Sequence, residues 1–154
     1  MRVLVPADAA ALYPLISQVQ TLHAVAMPQR FHANLDRREM ADHFAAWLGQ
    51  ADVFALGAER HGALVGYAVF EVIQTQDKTF TKGERFGFLH HIVVDRDFRR
   101  AGIGSRLIEA GKRELRARDV IRLESSYWGF NDASAALMRR AGLTLSEVFV
   151  EGVI

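Results

Sequence analysis

Ile92-Val93-Val94-Asp95-Arg96-Asp97-Phe98-Arg99-Arg100-Ala101-Gly102-Ile103-Gly104-Ser105 runs from an apolar, β-branched stretch through a basic turn with two glycines into helix-forming sequence. The first amides of a helix have no internal acceptors and lie at the positive end of its dipole, so a strand feeding such a turn builds an anion site. Gly102 and Gly104 let the backbone turn and approach a ligand without a side chain in the way. The dipole contributes about 0.3–2 kcal/mol, whereas each hydrogen bond to a charged oxygen contributes about 1.5–3 kcal/mol. Several amides together therefore dominate, and Arg99 and Arg100 add charge. The same glycines also suit a plain, tight strand-to-helix turn. No Gly-Lys-Ser or Gly-Lys-Thr follows, so a Walker loop is excluded, and Leu107 stands where a dinucleotide fingerprint needs its third glycine.

Outward from this stretch, Arg85 to Val94 reads as a long strand and Ile103 onward as a helix with Leu107, Ile108, Gly111 and Leu115 on one face. Glu109 with Arg113, and Glu114 with Arg118, are spaced to pair one turn apart on the other face. Upstream, Ala51 to Ala58 and Ala63 to Gln74 form a hairpin across a turn at Glu59 to Gly62, and Gln76 to Glu84 is the turn into the third strand of the meander. Arg2 to Val5 predicts a short strand, and Pro6, Ala7 and Asp8 a helix start. Leu12, Leu15, Ile16, Val19 and Leu22 recur at helical spacing as far as about Ala26. Met27 to Asn34 is a loop. Asp36 is placed to cap a second helix that buries Met40, Phe44, Trp47 and Leu48 and stops at Gly49. Downstream come a strand over Val120 to Tyr127, a helix over Asn131 to Ala141 ended by Gly142, and a final strand over Leu143 to Ile154. The expected fold is α+β, a mixed, mainly antiparallel sheet with helices on both faces, in one domain spanning 1–154.

Composition narrows the function. Half of the 154 residues are hydrophobic and the net charge is +1, which does not steer a polyanion, so nucleic acid is not the expected partner. With no cysteine there is no disulfide, no thiolate metal site and no acyl-cysteine intermediate. No apolar run reaches membrane length and Met1 to Pro6 does not read as a signal peptide, so a cytoplasmic protein without membrane contact is expected. His23, His32, His43 and His61 lack ligand spacing, and alternation sends His90 and His91 to opposite faces, so no metal is expected.

Arg99-Arg100-Ala101-Gly102-Ile103-Gly104, with the preceding Ile92-Val93-Val94-Asp95, resembles the pyrophosphate loop of the GNAT acetyltransferase superfamily. The resemblance extends to the order of elements and to Asn131 through Leu143. It implies that the amides of Arg99, Arg100, Ala101, Gly102, Ile103, Gly104 and Ser105 hold the pyrophosphate of acetyl-CoA. It also implies that the backbone of Ile92, Val93 and Val94, chiefly Ile92 and Val94, meets the pantetheine arm and the acyl group. Asn131 and Ser134 resemble the helix start that contacts pantetheine, and Asn is equally a good N-cap in its own right. Where the family commonly has a tyrosine acid, Leu137 is followed by Met138, which leaves Tyr127 as the nearest replacement.

Strict alternation puts Phe88, His90, Ile92 and Val94 on one face of their strand, so His90 shares a face with the acyl site. Arylalkylamine N-acetyltransferases within the superfamily carry a catalytic histidine at the place of His90. An imidazole is suited to deprotonating an amine directly or through water. Glu71 and Glu124 are alternative bases. His23, Met27, Pro28, Phe31 and His32 cluster around the loop between the first two helices, which lines the acceptor pocket in the resembling family. The expected activity is direct transfer of an acetyl group from acetyl-CoA to an amine of a small molecule or peptide. A CoA-binding regulatory module is the alternative, and pairing of the apolar Val148 to Ile154 across a homodimer is a third reading.

Overall fold

One sheet organises the chain. Its strands are β1 (Arg2–Leu4), β2 (Val53–Arg60), β3 (Ala63–Gln74), β4 (Arg85–Val94) and β5 (Leu123–Ser125), lying side by side in chain order. Neighbours are antiparallel as far as β4, and β4 and β5 are parallel. The computed structural model describes residues 1–152. Helices α1 (Tyr13–Ala26) and α2 (Arg37–Leu48) cover one face, while α3 (Ile103–Ala117), the crossover between β4 and β5, covers the other together with α4 (Asp132–Arg140). The mixed, mainly antiparallel sheet with helices on both faces is the expected fold.

β3 shows why there are two cores. It is apolar almost without interruption because both of its faces are covered. Ala68, Phe70 and Val72 point to the α3 side with Phe54, Leu56, Leu107 and Ile108. Tyr67 and Val69 point to the α1–α2 side with Leu12, Leu15, Met40 and Phe44. The β2–β3 hairpin closes on His61 and Gly62, both left-handed (φ 51° and 80°), the twist a two-residue turn needs. Asp36 caps α2 by accepting from the Glu39 N–H at 2.8 Å, and Asn131 caps α4 through the Ser134 N–H at 3.0 Å.

Several local expectations are corrected. Pro6–Leu12 is a 3-10 helix, and α1 proper begins only at Tyr13 with Pro14 in its first turn. Asp8 closes that early turn by accepting from the Val5 N–H at 2.8 Å, and Arg2 grips the same carboxylate with two hydrogen bonds. Leu22 stands exposed rather than on the buried stripe of α1. On α3, Glu109 pairs with Lys112 at 2.8 Å rather than with Arg113, and the Arg118 guanidinium lies 4.5 Å over Phe54 instead of meeting Glu114. The strand expected over Val120 to Tyr127 shrinks to Leu123–Ser125, because Val120 sinks into the core and the chain leaves β4 after Ser125.

The strand expected over Leu143 to Ile154 does not form in residues 143–152, and Val153 and Ile154 lie outside the described residues. An extended segment becomes a strand only by pairing. This one leads to the loop between α1 and α2, where Glu151 meets Arg30 at 2.7 Å.

α3 approaches the sheet through Gly111, where a Cβ would lie 2.1 Å from Cζ of the fully buried Phe70. The substitution Gly111→Ala therefore overpacks the core despite its better helix propensity. We expect a loss of about 1–3 kcal/mol in urea denaturation, and unchanged or raised stability would show that α3 does not seat on Phe70 as described.

Candidate active site

The site is built where β4 runs out. Asp95 donates its N–H to the Val65 carbonyl at 2.9 Å, and Gly66 and Val94 are register partners. Hydrogen-bonded and non-bonded pairs alternate along an antiparallel ladder. Ile92 and Val94 therefore turn their own N–H and C=O groups away from β3. On that other side β5 matches only Gly87, Phe88 and Leu89, and the Ser125 hydroxyl closes the pairing by donating to the Leu89 carbonyl at 2.9 Å. Beyond it a gap opens along Ile92 and Val94. Their side chains, with Tyr127 and Leu137, pack onto the α3-side core, while Val93 is buried on the opposite face.

The loop that follows is held from its flanks and left open in its middle. Asp95 accepts from the Asp97 N–H at 2.9 Å and from Gln18 of α1 at 2.9 Å, and these bonds hold its carboxyl below the usual range. Gln18 in turn accepts from the Arg96 N–H at 3.1 Å. Arg99 folds back so that its Nε donates to the Val94 carbonyl at 3.1 Å, and with Arg96 it lines an open groove against Ser17 and Thr21 of α1. Arg100 and Gly102 are both left-handed (φ 60° and 75°). The first helical bond of α3 runs from the Arg106 N–H to the Gly102 carbonyl at 3.0 Å, and no side chain caps the helix. Among the described residues, the backbone N–H groups of Arg100, Ala101, Gly102, Ile103, Gly104 and Ser105 meet no acceptor within the protein. That row of free donors at a helix start can hold a pyrophosphate.

The two glycines have different tasks. Gly102 supplies the left-handed turn, whereas a Cβ on Gly104 would lie 3.1 Å from Leu137 and 3.7 Å from Val94. Gly104 thus also lets α4 and β4 pack closely against the start of α3. Arg106, missed from sequence, curls back so that its Nη1 lies 3.1 Å from the Cβ position of Gly102 and adds positive charge to the loop. Its position four residues on, one helical turn away, was the available signal. Asn131 spends its side-chain carbonyl on the cap of α4, and Met138 is buried in the α3-side core.

The histidines depart from strict alternation. Val69 pairs with His91 but Phe70 with Leu89, so His90 is the extra residue of a β-bulge. Both imidazoles consequently lie on the α1–α2 side, His90 5.4 Å from Trp47 and His91 5.8 Å from Phe44 (ring centroids), and His90 does not share a face with Ile92 and Val94. The neighbours then separate in chemistry. His91 Nδ1 lies 2.5 Å from the hydroxyl of the fully buried Tyr67. Burial raises the Tyr67 pKa well above the ordinary tyrosine range, and a buried phenol that only accepted would leave its own proton unpaired. Tyr67 therefore donates, and the proton of His91 sits on Nε2. Burial, helped by the charges of His23 and His90, pushes His91 down to about 4. His90 instead keeps solvent contact, and its Nε2 lies 2.6 Å from Glu71, the two side chains being about equally exposed (30% and 31%). The other candidate base, Glu124, pairs with Arg122 at 2.9 Å.

A third group gathers where the end of α1 and the loop after it meet the segment after β5. Phe31 stacks on His23 at 4.9 Å and meets Trp128 edge-on at 5.3 Å, His23 meets Phe130 at 5.7 Å, and the Arg30 guanidinium lies 5.0 Å over Trp128. Of the five residues singled out around that loop in the sequence, His23, at the end of α1, and Phe31 take part. Among the described residues no cluster of three potential metal ligands occurs, and no helix is long and apolar enough to cross a membrane.

Residues 18–143 match the model of the Acetyltransferase (GNAT) family. No protein of curated function matches the sequence. A tetramutant of the BH1408 protein of Bacillus halodurans superposes with a TM-score of 0.91 at 20% identity, over 99% of this chain and 98% of that one. An aminoglycoside N-acetyltransferase, AAC(6')-Iy, solved with CoA, gives a TM-score of 0.76 at 16% identity over 99% and 92% of the two chains. A ribosomal-protein-alanine N-acetyltransferase from Brucella melitensis gives 0.68 at 22% identity over 99% and 96%. At these identities the likeness is one of fold.

Native His91 takes up its proton only near pH 4, whereas an unfolded histidine does so near 6.5. Between these values the unfolded chain holds more protons, so acidification favours unfolding, and the lowered pKa of half-buried His23 acts in the same direction. Stability should fall as pH drops from about 6.5 to about 4, and the fall should be shallower in His91→Gln. Urea midpoints across that range check it, and parallel curves for the two proteins would refute the assignment.

Proposed function

The chain belongs to the GNAT acetyltransferase family, and from that premise we propose that it transfers an acetyl group from acetyl-CoA directly to the amine of a small molecule or peptide. One observation carries this reading: the free amides of Arg100 through Ser105 lie next to the unpaired edge of β4. These donors suit the pyrophosphate, with Arg99, Arg100 and Arg106 adding charge, and the outward backbone groups of Ile92 and Val94 suit the pantetheine amides. Bound there, acetyl-CoA would supply the thioester carbonyl as electrophile. The Val94 N–H stabilises the oxyanion that develops as the amine attacks, as preorganised donors do.

The proton from the amine goes to His90, oriented by Glu71. Four residues of extended strand separate His90 from Val94, roughly 13 Å, so the proton travels through water rather than in one step. His91 is unsuited to this role, since it is held neutral and its Nδ1 is occupied by Tyr67. We assign Tyr127, which packs on the α3 side with Ile92 and Val94, the return of a proton to the departing thiolate. The aromatic group around Phe31 and Trp128 favours a small or peptidic amine over a polycation, because the carboxylates of Glu71, Glu124 and Glu151 are each already paired.

A second reading, a CoA binder without turnover, is favoured by Met138, which cannot donate a proton and is buried in the core. Release of free thiol from acetyl-CoA against a panel of amines separates the two. Turnover without a trapped acyl-enzyme supports direct transfer, and binding without thiol release supports the second reading.

Two variants test the parts. Gly102→Val, which strains a left-handed position and crowds the amides, should remove the thermal shift produced by acetyl-CoA while leaving a cooperative melt. His90→Ala should lower kcat/KM by about 10²–10⁴-fold with little change in acetyl-CoA affinity. Full activity in the latter would remove His90 as the proton acceptor.

A further inference from the structure

The two ring nitrogens of His91 are in different situations. Nδ1 faces the hydroxyl of the fully buried Tyr67 at 2.5 Å, and because that phenol donates, the ring proton is held on Nε2. Among the described residues every buried polar side-chain atom has a partner and Nε2 has none, so Nε2 reaches the surface as the open edge of a half-buried ring. The direction of its N–H is set as well. Tyr67 stacks on the ring at 5.6 Å and Phe44 meets it edge-on at 5.8 Å (ring centroids), and a flipped ring would lose the Tyr67 bond.

That edge opens on the face covered by α1 and α2. His23 of α1, in the aromatic group with Phe31, is close enough for its charge to act on His91, and so is His90. Among the described residues these two histidines are the charges that act there, with no lysine or arginine. A carboxylate ligand would find no fixed cation, whereas an uncharged oxygen needs none. A half-buried N–H without a partner is a cost that a matching oxygen removes. A site built around such a donor also discriminates against a ligand that lacks the oxygen.

We propose that His91, its tautomer set by Tyr67, recognises the acceptor substrate by donating its Nε2–H to an uncharged carbonyl oxygen of a peptide. The inference rests on the acetyl-transfer reading and narrows its acceptor to the amine at the end of a peptide. Three residues of extended strand, roughly 10 Å, separate His91 from Val94. The oxygen met by His91 therefore lies several bonds from the reacting nitrogen, which fits the second carbonyl of a peptide N-terminus rather than the first. Tyr67 is a positioning residue, acting on the substrate only by keeping the proton of His91 on Nε2. The same arrangement that denies His91 the part of a base gives it the part of a fixed donor.

Two amines isolate that oxygen. Phenylalanyl-glycinamide and phenylalanine N-propylamide share the amine and the first carbonyl and are of similar length, but only the former has the second carbonyl. Thiol release from acetyl-CoA should show kcat/KM about 3–10-fold higher for phenylalanyl-glycinamide. Tyr67→Phe, which lets the proton move to Nδ1, should bring that ratio close to one. Long-range proton–nitrogen NMR spectra of the native chain read the site without turnover, with His91→Gln identifying the signal. The Nε2–H resonance of His91 should move downfield on saturation with phenylalanyl-glycinamide in the presence of CoA, and should stay in place with the propylamide. Equal kcat/KM for the two amines, a ratio retained in Tyr67→Phe, an unmoved Nε2–H signal or a proton found on Nδ1 each overturns the proposal. Absence of thiol release from every amine, with the Nε2–H shift present, would remove acetyl transfer and leave the recognition by His91 standing.

Discussion

An extended strand must place all its backbone hydrogen bonds somewhere, and β4 finds no strand partner for those of Ile92 or for the N–H of Val94, whose carbonyl takes Arg99 instead. β3 takes one set of groups and leaves the alternate set facing β5, which stops at Ser125. An unmet buried donor costs about 1–3 kcal/mol, so such a gap persists only where a ligand or water enters it. The free amides at the start of α3 continue the same row of donors around the turn. The candidate site is thus a place where the fold withholds internal partners. Gln18, Asp95 and Arg99 brace the flanks so that the opening keeps its shape.

The β-bulge at His90 turns one strand into two chemical environments. Without the extra residue the adjacent histidines would lie on opposite faces. With it, both face α2, one beneath Phe44 against a buried tyrosine and the other beside Glu71 and Trp47. Two identical side chains a residue apart meet different surroundings: burial lowers the pKa of His91, while His90 stays in contact with solvent and with the Glu71 carboxylate. This is a division of labour between a group that holds the strand and a group that can exchange a proton.

Packing supports both features from a distance. β3 is shared by two cores, Phe70 lying on the α3 side and its neighbours Val69 and Tyr67 on the α1–α2 side. Gly111 and Gly104 let α3 lie close to Phe70 and Leu137, which keeps the helix start, with its free amides, beside the end of β4.

Local chemistry was legible from sequence wherever it depends on neighbours in the chain. The meander β2–β4, the caps Asp36 and Asn131, the turn at Gly62, the buried stripe of α3 and the basic glycine loop all follow from spacing and from short-range hydrogen bonding. Tertiary structure decided what depends on pairing between distant segments. One inserted residue at His90 reversed the faces of a strand, Glu71 and Tyr67 became the partners of two histidines about twenty positions away, and Gly104 gained close neighbours in Leu137 and Val94. Residues 143–152 did not become a strand although their composition favours one, because a strand exists only when another backbone lies alongside to accept its hydrogen bonds. Side-chain periodicity records which face a residue prefers, and it carries no record of which backbone will be its neighbour.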